Sequence, residues 1–325
     1  MKKIIALFLS VVMMCSLIPT VFAVEEASEA ESKGYIFEPE PNLTHEEIVE
    51  MLKNDPNTET SSEYDAILKE KAEAKKVLAS KNATASEKIG AKLIEEFDPA
   101  AEVYRLQEKT DEELQKMGMS DARIQIIRNF KGTDAELQAL SANCSVSGNP
   151  KYTKNASGQW AKITFAFSWD KEPIWQMRDA LVAQATTGFL PDAVPDTKCN
   201  INYKSPDGKV SYKYLGASDL KQKAFSLGNP AGFSFKVMED RQVGLTTARC
   251  FAESGMATIV FRSKDMNQVQ LSYGYAHAER EISASIGIEF SSGKPTGSLN
   301  FFVSKDYYQM LPASTGGRIC ASHFF

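Results

Sequence analysis

Histidine is scarce in this chain: His45, His277 and His323 are the only three among 325 residues. Chemistry that needs an imidazole base therefore has few places to sit. No G-x-S-x-G turn and no H-E-x-x-H pair occurs, so the usual sequence marks of a serine hydrolase and of a zinc protease are missing. Cysteine is also sparse, at five residues. No two of them form a C-x-x-C pair, which argues against a zinc ribbon or a thioredoxin-like dithiol. Calcium finds no D-x-D-x-D-G loop; Asp192 and Asp196, in a proline-containing loop, are the nearest substitutes. Beyond residue 23 no stretch approaches the about 20 apolar residues that a membrane-spanning helix needs. No cofactor and no metal is expected.

What is present begins with an export address. Lys2 and Lys3 form a basic start, Ile4 to Leu17 an uncharged and mostly apolar run, and Val21-Phe22-Ala23 a small-x-small cleavage site. Residues 1–23 therefore read as a signal peptide, the mature chain as starting at Val24, and the protein as secreted. Met13 and Met14 precede Cys15 where a lipoprotein signal needs a small residue, so no lipid anchor is expected. Leu311-Pro312-Ala313-Ser314-Thr315-Gly316 has one residue too many for a wall-sorting signal and reads as a turn.

Charge is unevenly distributed. Residues 25–141 hold 27 acidic against 15 basic residues, and residues 142–325 hold 15 against 20. An acidic overall balance argues against a nucleic-acid partner, which selects for basic residues on one face. The asymmetry fits a solvated acidic helical region beside a more neutral domain. After signal removal four cysteines remain, Cys144, Cys199, Cys250 and Cys320. An even count in an exported chain predicts disulfides, with Cys199 on the apolar face of its strand as a bridged partner and the connectivity open.

Residues 24–43 are acidic, poor in apolar side chains and broken by Pro39 and Pro41, and read as a disordered leader. Helical signals occupy 44–141. Thr44 with Glu47 has capping-box spacing, and the helix it starts should end before Asn54-Asp55-Pro56. Residues 61–80 are rich in Ala, Glu and Lys, and residues 85–97 repeat apolar side chains at helical spacing. Thr110 with Glu113, Ser120, and Thr133 with Glu136 start three short helices in succession, with Gly118 and Gly132 as stops. Leu106, Thr110, Leu114, Gly118, Ile124, Ile127, Asn129, Phe130 and Gly132 give this stretch an order that resembles uncharacterised secreted proteins of Gram-positive Firmicutes. In those, a Leu/Gly/Ile-rich helical segment precedes a Ser/Thr-rich β region, which Trp169, Pro173 and Asp179 match in outline. The resemblance implies a secreted Gram-positive protein and no particular activity.

After Ala142 the period changes to two. Ala161, Ile163, Phe165, Phe167 and Trp169 alternate with other residues, as a half-buried strand requires. Cys199, Ile201 and Tyr203, a Pro206-Asp207-Gly208 turn, and Val210, Tyr212 and Tyr214 make a hairpin. Further alternation lies in 233–237, 257–261, 269–275, 282–290 and 299–303. Residues 175–190 suit helix and strand equally. The expected fold class is α+β: an acidic helical N-terminal region followed by an antiparallel β-sandwich of about eight strands over 142–325, with a domain boundary near residue 141 and a sandwich able to fold by itself.

Catalytic residues are not identified by this pattern. His277 shares a strand face with Glu279, the arrangement of a tuned base, but the reading preferred is a hydrogen-bonded histidine at a strand end. Glu279, Glu281 and Glu289 are carboxylates that a glycan hydrolase needs in pairs. Aromatic residues are the better lead: Trp160, Trp175, Tyr307 and Tyr308 are the candidate ligand-binding residues, with Trp169, Tyr273 and Tyr275 as further members of a stacking platform. Trp160 has the opposite parity to Ala161 and Trp169, so a strand that buries those residues should expose it. The reading is a secreted, non-catalytic binding or cell-surface interaction protein, whose candidate partners are a cell-wall glycan or an extracellular protein. A secreted glycan hydrolase is one alternative. A membrane-active hairpin is the other, because residues 282–290 have the length and alternation of a transmembrane strand.

Overall fold

The structure, a computed structural model, describes residues 37, 38, 40–83, 85–155, 157–174, 178–185, 188–222, 229–264, 268–278, 289–291, 294–296, 299–310 and 319–322. Residues 1–23, Trp175, Glu279, Glu281, residues 282–288 and His323 lie outside the described residues, as do the side chains of Tyr307, Tyr308 and Cys320. Among the described residues seven α-helices span 45–140, with one short strand between the first and the second: α1 His45–Asn54, α2 Glu63–Ala79, α3 Ala85–Glu95, α4 Pro99–Gln107, α5 Asp111–Lys116, α6 Asp121–Asn129 and α7 Asp134–Leu140. Their starts follow the capping chemistry. Thr44, Thr110 and Thr133 each accept a backbone N–H while Glu47, Glu113 and Glu136 reach back, and Ser62, Asp98 and Ser120 cap three more. Gly118 stops α5 with φ +92°, and a Cβ there would also sit 1.9 Å from Met238 Cε. Only glycine meets both demands.

The strands are β1 Glu59–Ser62, β2 Asn143–Asn155, β3 Gly158–Trp169, β4 Arg178–Ala185, β5 Leu190–Asp192, β6 Lys198–Lys204, β7 Val210–Leu215 and β8 Lys221–Gln222. They continue with β9 Asn229–Lys236, β10 Met238–Val243, β11 Thr246–Ser263, β12 Gln268–Ala278, β13 Glu289–Ser291, β14 Lys294–Thr296, β15 Leu299–Met310 and β16 Ile319–Ser322. Sheet A runs β1-β2-β3-β11-β6-β7, with β5 and β10 also on β11; sheet B runs β16-β15-β12-β4-β9-β8. All pairings are antiparallel. The two sheets share one core. Phe165 lies against Tyr273, with ring centroids 5.3 Å apart, and Phe167 against Tyr275 at 4.4 Å and Phe235 at 5.5 Å. The α+β class with a sandwich is thus the observed one, and residues 178–185, which suited helix and strand equally, are strand.

The expected boundary near residue 141 is bridged by structure. β1, from the helical region, adds an edge strand to sheet A by pairing with β2, and Glu63 N donates to Ala142 O at 3.0 Å. Ile174, from the β region, sits in the helical core with Tyr64, Ile67, Val103, Leu114, Ile124 and Ile127. Helix α1 packs Ile48 and Leu52 on Ala166 and Met256, on the outer face of sheet A.

That cover corrects the expectation for Trp160. Its parity does set it against Ala161 and Trp169, but β3 is buried on both faces, and Trp160 is 1% exposed. It packs with Val194, Val260 and Phe37, donates to Asp192 Oδ2 at 3.2 Å, and carries the Arg262 guanidinium over its ring. Alternation fixed the face of the sheet and not what lay on it. Part of the segment read as a disordered leader supplies this cover, since Phe37, Glu38 and residues 40–43 contact sheet A.

The disulfide expectation is corrected as well. Cys144, Cys199 and Cys250 are buried free thiols. Their register explains this: Cys144 faces Ser61 and Trp169, Cys199 faces Ala257 and Leu215, and Cys250 faces Glu239. Burial pushes all three thiols up from their ordinary value.

Candidate functional site

Two clusters carry the polar and aromatic chemistry, one sealed and one open. The sealed cluster centres on His277, at the inner end of β12. Its Nδ1 lies 2.7 Å from Asp179 Oδ1 on β4, and its Nε2 lies 3.4 Å from Glu63 Oε1 at the start of α2. Asp179 Oδ2 accepts the Tyr275 hydroxyl, which in turn accepts Trp169 Nε1 at 2.9 Å. Glu63 also accepts the backbone N–H of Ala142 and of Ile174, each at 2.8 Å. Glu63, Asp179, His277 and Tyr275 are all 0% exposed. Burial alone would push the imidazole pKa down; the two carboxylates outweigh it and raise it to about 10. Chemically this is a buried imidazolium clamped between two carboxylates. The residue named as a candidate base is therefore the centre of an internal lock, closed to a substrate. Its partners come from β4 and α2, separated from it by 98 and more residues, which no local spacing reveals.

The remaining sequence candidates distribute differently. Trp169, Tyr273 and Tyr275 are core residues, at 3%, 2% and 0% exposure. Asp196 is engaged by Lys162 Nζ at 2.8 Å, and Asp192 by the Trp160 indole. Among the described residues no three His, Cys, Asp or Glu side chains gather at metal-binding distance.

The open cluster is on β7, which ends sheet A. Tyr212 and Tyr214 are each 58% exposed and Val210 is 41% exposed. β6 buries Cys199, Ile201 and Tyr203 on the inner face, and the apolar residues of β7 take the other one. Ser211, Lys213 and Leu215 pair with those inward residues, while Val210, Tyr212 and Tyr214 pair with Lys204, Asn202 and Asn200 on the outer face. Lys213 is accommodated by Glu239 on β10, with Nζ at 2.9 and 3.0 Å from its carboxylate. Arg241 Nη2 donates to Tyr212 O at 2.6 Å and places a charge against the sheet edge, which protects it from pairing with other strands. Beside the tyrosines, the register slips between Ala252 and Ser254, and Glu253 there holds Lys204 at 3.2 Å and His45 at 3.8 Å. Val210, Tyr212 and Tyr214 thus form an aromatic ledge, with the partly exposed Lys204 side chain beside it. The sequence marks Val210, Tyr212 and Tyr214 as one face of a hairpin strand, and alternation by itself does not say which side of the sheet that face takes.

No family model and no curated protein matches the chain. Solved structures with partial similarity include AvmM, which catalyses macrocyclization in alchivemycin A biosynthesis. It is 7% identical, over 49% of this chain and 95% of that one, with a TM-score of 0.25. The C-terminal domain of the Streptococcus pyogenes antigen I/II-family protein AspA is 10% identical, over 50% of this chain and 53% of that one, at 0.24. The chain thus spans about half the length of that domain. The membrane-inserted Clostridium perfringens NetB toxin is 10% identical, over 55% and 85%, at 0.19. Likenesses at these scores carry no argument about function. No described helix is long and apolar enough to cross a membrane.

Proposed function

We propose that this is a secreted, non-catalytic binding protein of a Gram-positive bacterium, and that the β7 ledge engages a cell-wall glycan. The observation that carries the reading is the outward aromatic face of β7. An edge strand that turns two tyrosines to solvent and a lysine inward gains nothing in folding, whereas exposed tyrosine is favoured where binding energy is concentrated. Residues two apart on a strand stand roughly 7 Å from each other, so Tyr212 and Tyr214 present successive rings along one line. Such a row suits the apolar faces of consecutive sugar rings, with the Lys204 side chain, 43% exposed, beside it as a polar contact. Secretion is supported by the export address of residues 1–23, and the Gram-positive source by the helical pattern of 106–132. A glycan array probed with the mature protein tests the ligand class. Signal on peptidoglycan fragments or wall polysaccharides that is lost in Y212A/Y214A is expected; an array equally bright with the variant would remove the ledge from the account.

A further inference from the structure

The outer face of sheet A carries a second feature, independent of the ledge. The row beneath residues 37–43 contains Lys151, Lys162 and Lys198, and these, with their neighbours, contact the chain above mainly through its backbone. Lys162 Nζ donates to Glu38 O at 2.8 Å and Lys198 Nζ to Glu40 O at 2.6 Å. Asp196 Oδ1 accepts Glu40 N at 3.2 Å, and Asn202 Nδ2 donates to Leu43 O at 3.2 Å. Four backbone groups of a segment outside any helix or strand are therefore satisfied by four side chains. Two side-chain pockets supplement them. The Glu40 carboxylate lies 2.7 Å from Lys151 Nζ and 3.1 Å from Lys162 Nζ. The Phe37 ring lies 5.0 Å from Lys162 Nζ and packs on Trp160, Val194 and Val260. With the segment in place the Lys162 and Asp196 side chains are 1% and 3% exposed and paired to each other at 2.8 Å.

None of these contacts is a β-ladder bond, and none depends on the segment being joined to the sheet beneath it. We propose that this face is a groove for an acidic peptide with an aromatic residue three positions before a glutamate, filled in cis by residues 37–43, and that it accepts the same segment from a second copy of the chain. Exchange of an identical element is a low-cost route to association. A cis occupant acts at an effective concentration in the millimolar range, so the groove of a lone molecule is closed to a dilute competitor. Loosening of the cis segment opens it.

The test uses a fluorescently labelled synthetic peptide of residues 34–43 and fluorescence polarisation against the mature full-length chain. In F37A/E40A the cis segment loses its two side-chain anchors while the floor is untouched. The peptide is expected to bind that variant at least tenfold more tightly than the wild type. Adding Lys198→Ala, on the partly exposed rim of the floor, should weaken binding about fivefold or more. A peptide in which both glutamates are replaced by lysine should not bind. Equal affinity for wild type and F37A/E40A, or equal binding of the charge-reversed peptide, would overturn the proposal. These readouts do not involve Tyr212 or Tyr214, so they stand or fall separately from the glycan reading.

Discussion

Replacing Glu63 by glutamine removes one charge from the sealed cluster and leaves the shape of the side chain. The amide oxygen still accepts the N–H of Ala142 or Ile174, but the His277 imidazolium loses the anion 3.4 Å from its Nε2 and keeps only Asp179. Breaking a fully buried ion pair costs about 3–5 kcal/mol. With one of two carboxylates retained, the cost falls just below that range, at about 2–3 kcal/mol. For a domain of this size that corresponds to a fall in Tm of roughly 5–10 °C. The pH dependence gives a second and sharper signature. The folded pKa of His277 is raised to about 10 from 6.5, so its contribution is fully present below pH 6.5 and is lost as pH rises through about 10. At about 1.4 kcal/mol per pH unit, the wild type should lose about 5 kcal/mol across that interval from this group. In E63Q the folded pKa is less raised, so the loss starts at the same pH but ends at a lower one. The gap between the two proteins is therefore widest near neutrality and narrows towards pH 10. Urea denaturation followed by tryptophan fluorescence at pH 6, 7, 8 and 9 measures it. Equal stability within 0.5 kcal/mol at pH 7, or a gap that widens with pH, would refute the assignment of a charged His277 clamped by both carboxylates.

Other expectations are less elaborate. A fragment starting at Cys144 lacks β1, Glu63 and the helical core that holds Ile174, so it should melt without a cooperative transition; a sharp melt would show that the helices are dispensable. Cys144 and Cys199 should resist a thiol reagent in the native protein and react fully after denaturation without any reductant, whereas a requirement for reductant would reveal a bridge. Mass spectrometry of secreted material should find Val24 at the N-terminus, and retention of the chain in the cytoplasm would defeat the export reading.

How far the sequence reaches is clear from particular residues. Thr44, Thr110, Ser120 and Thr133 mark helix starts to the residue, because a cap is a local contact between a side chain and a backbone N–H three positions on. The hairpin around Pro206-Asp207-Gly208 is equally local, and Gly208 has φ +82° as the turn demands. What the pattern does not carry is the environment of a face. Trp160 and the outer side of β3 are covered by residues 37–43 and α1, more than 100 positions away in sequence, and parity cannot report that cover. The facing of β7 is equally non-local, since the Lys213–Glu239 contact from β10 helps a lysine sit on the inner side. β2, with Ser, Gly, Asn, Pro and Lys along its 13 residues, shows no alternation strong enough to read, yet its register with β3 makes it a full strand. The cluster around His277 was visible only as a histidine, since its partners are distant in sequence.

Co-sedimentation of the mature protein with insoluble cell-wall glycan, with Y212A/Y214A run alongside, tests the central claim most directly. Both side chains are exposed, so the variant should keep the wild-type stability to within about 0.5 kcal/mol. The wild type should pellet saturably and release no soluble sugar, while the variant stays in the supernatant. A variant that pellets as well as the wild type, or a wild type that releases sugar with time, would contradict the account.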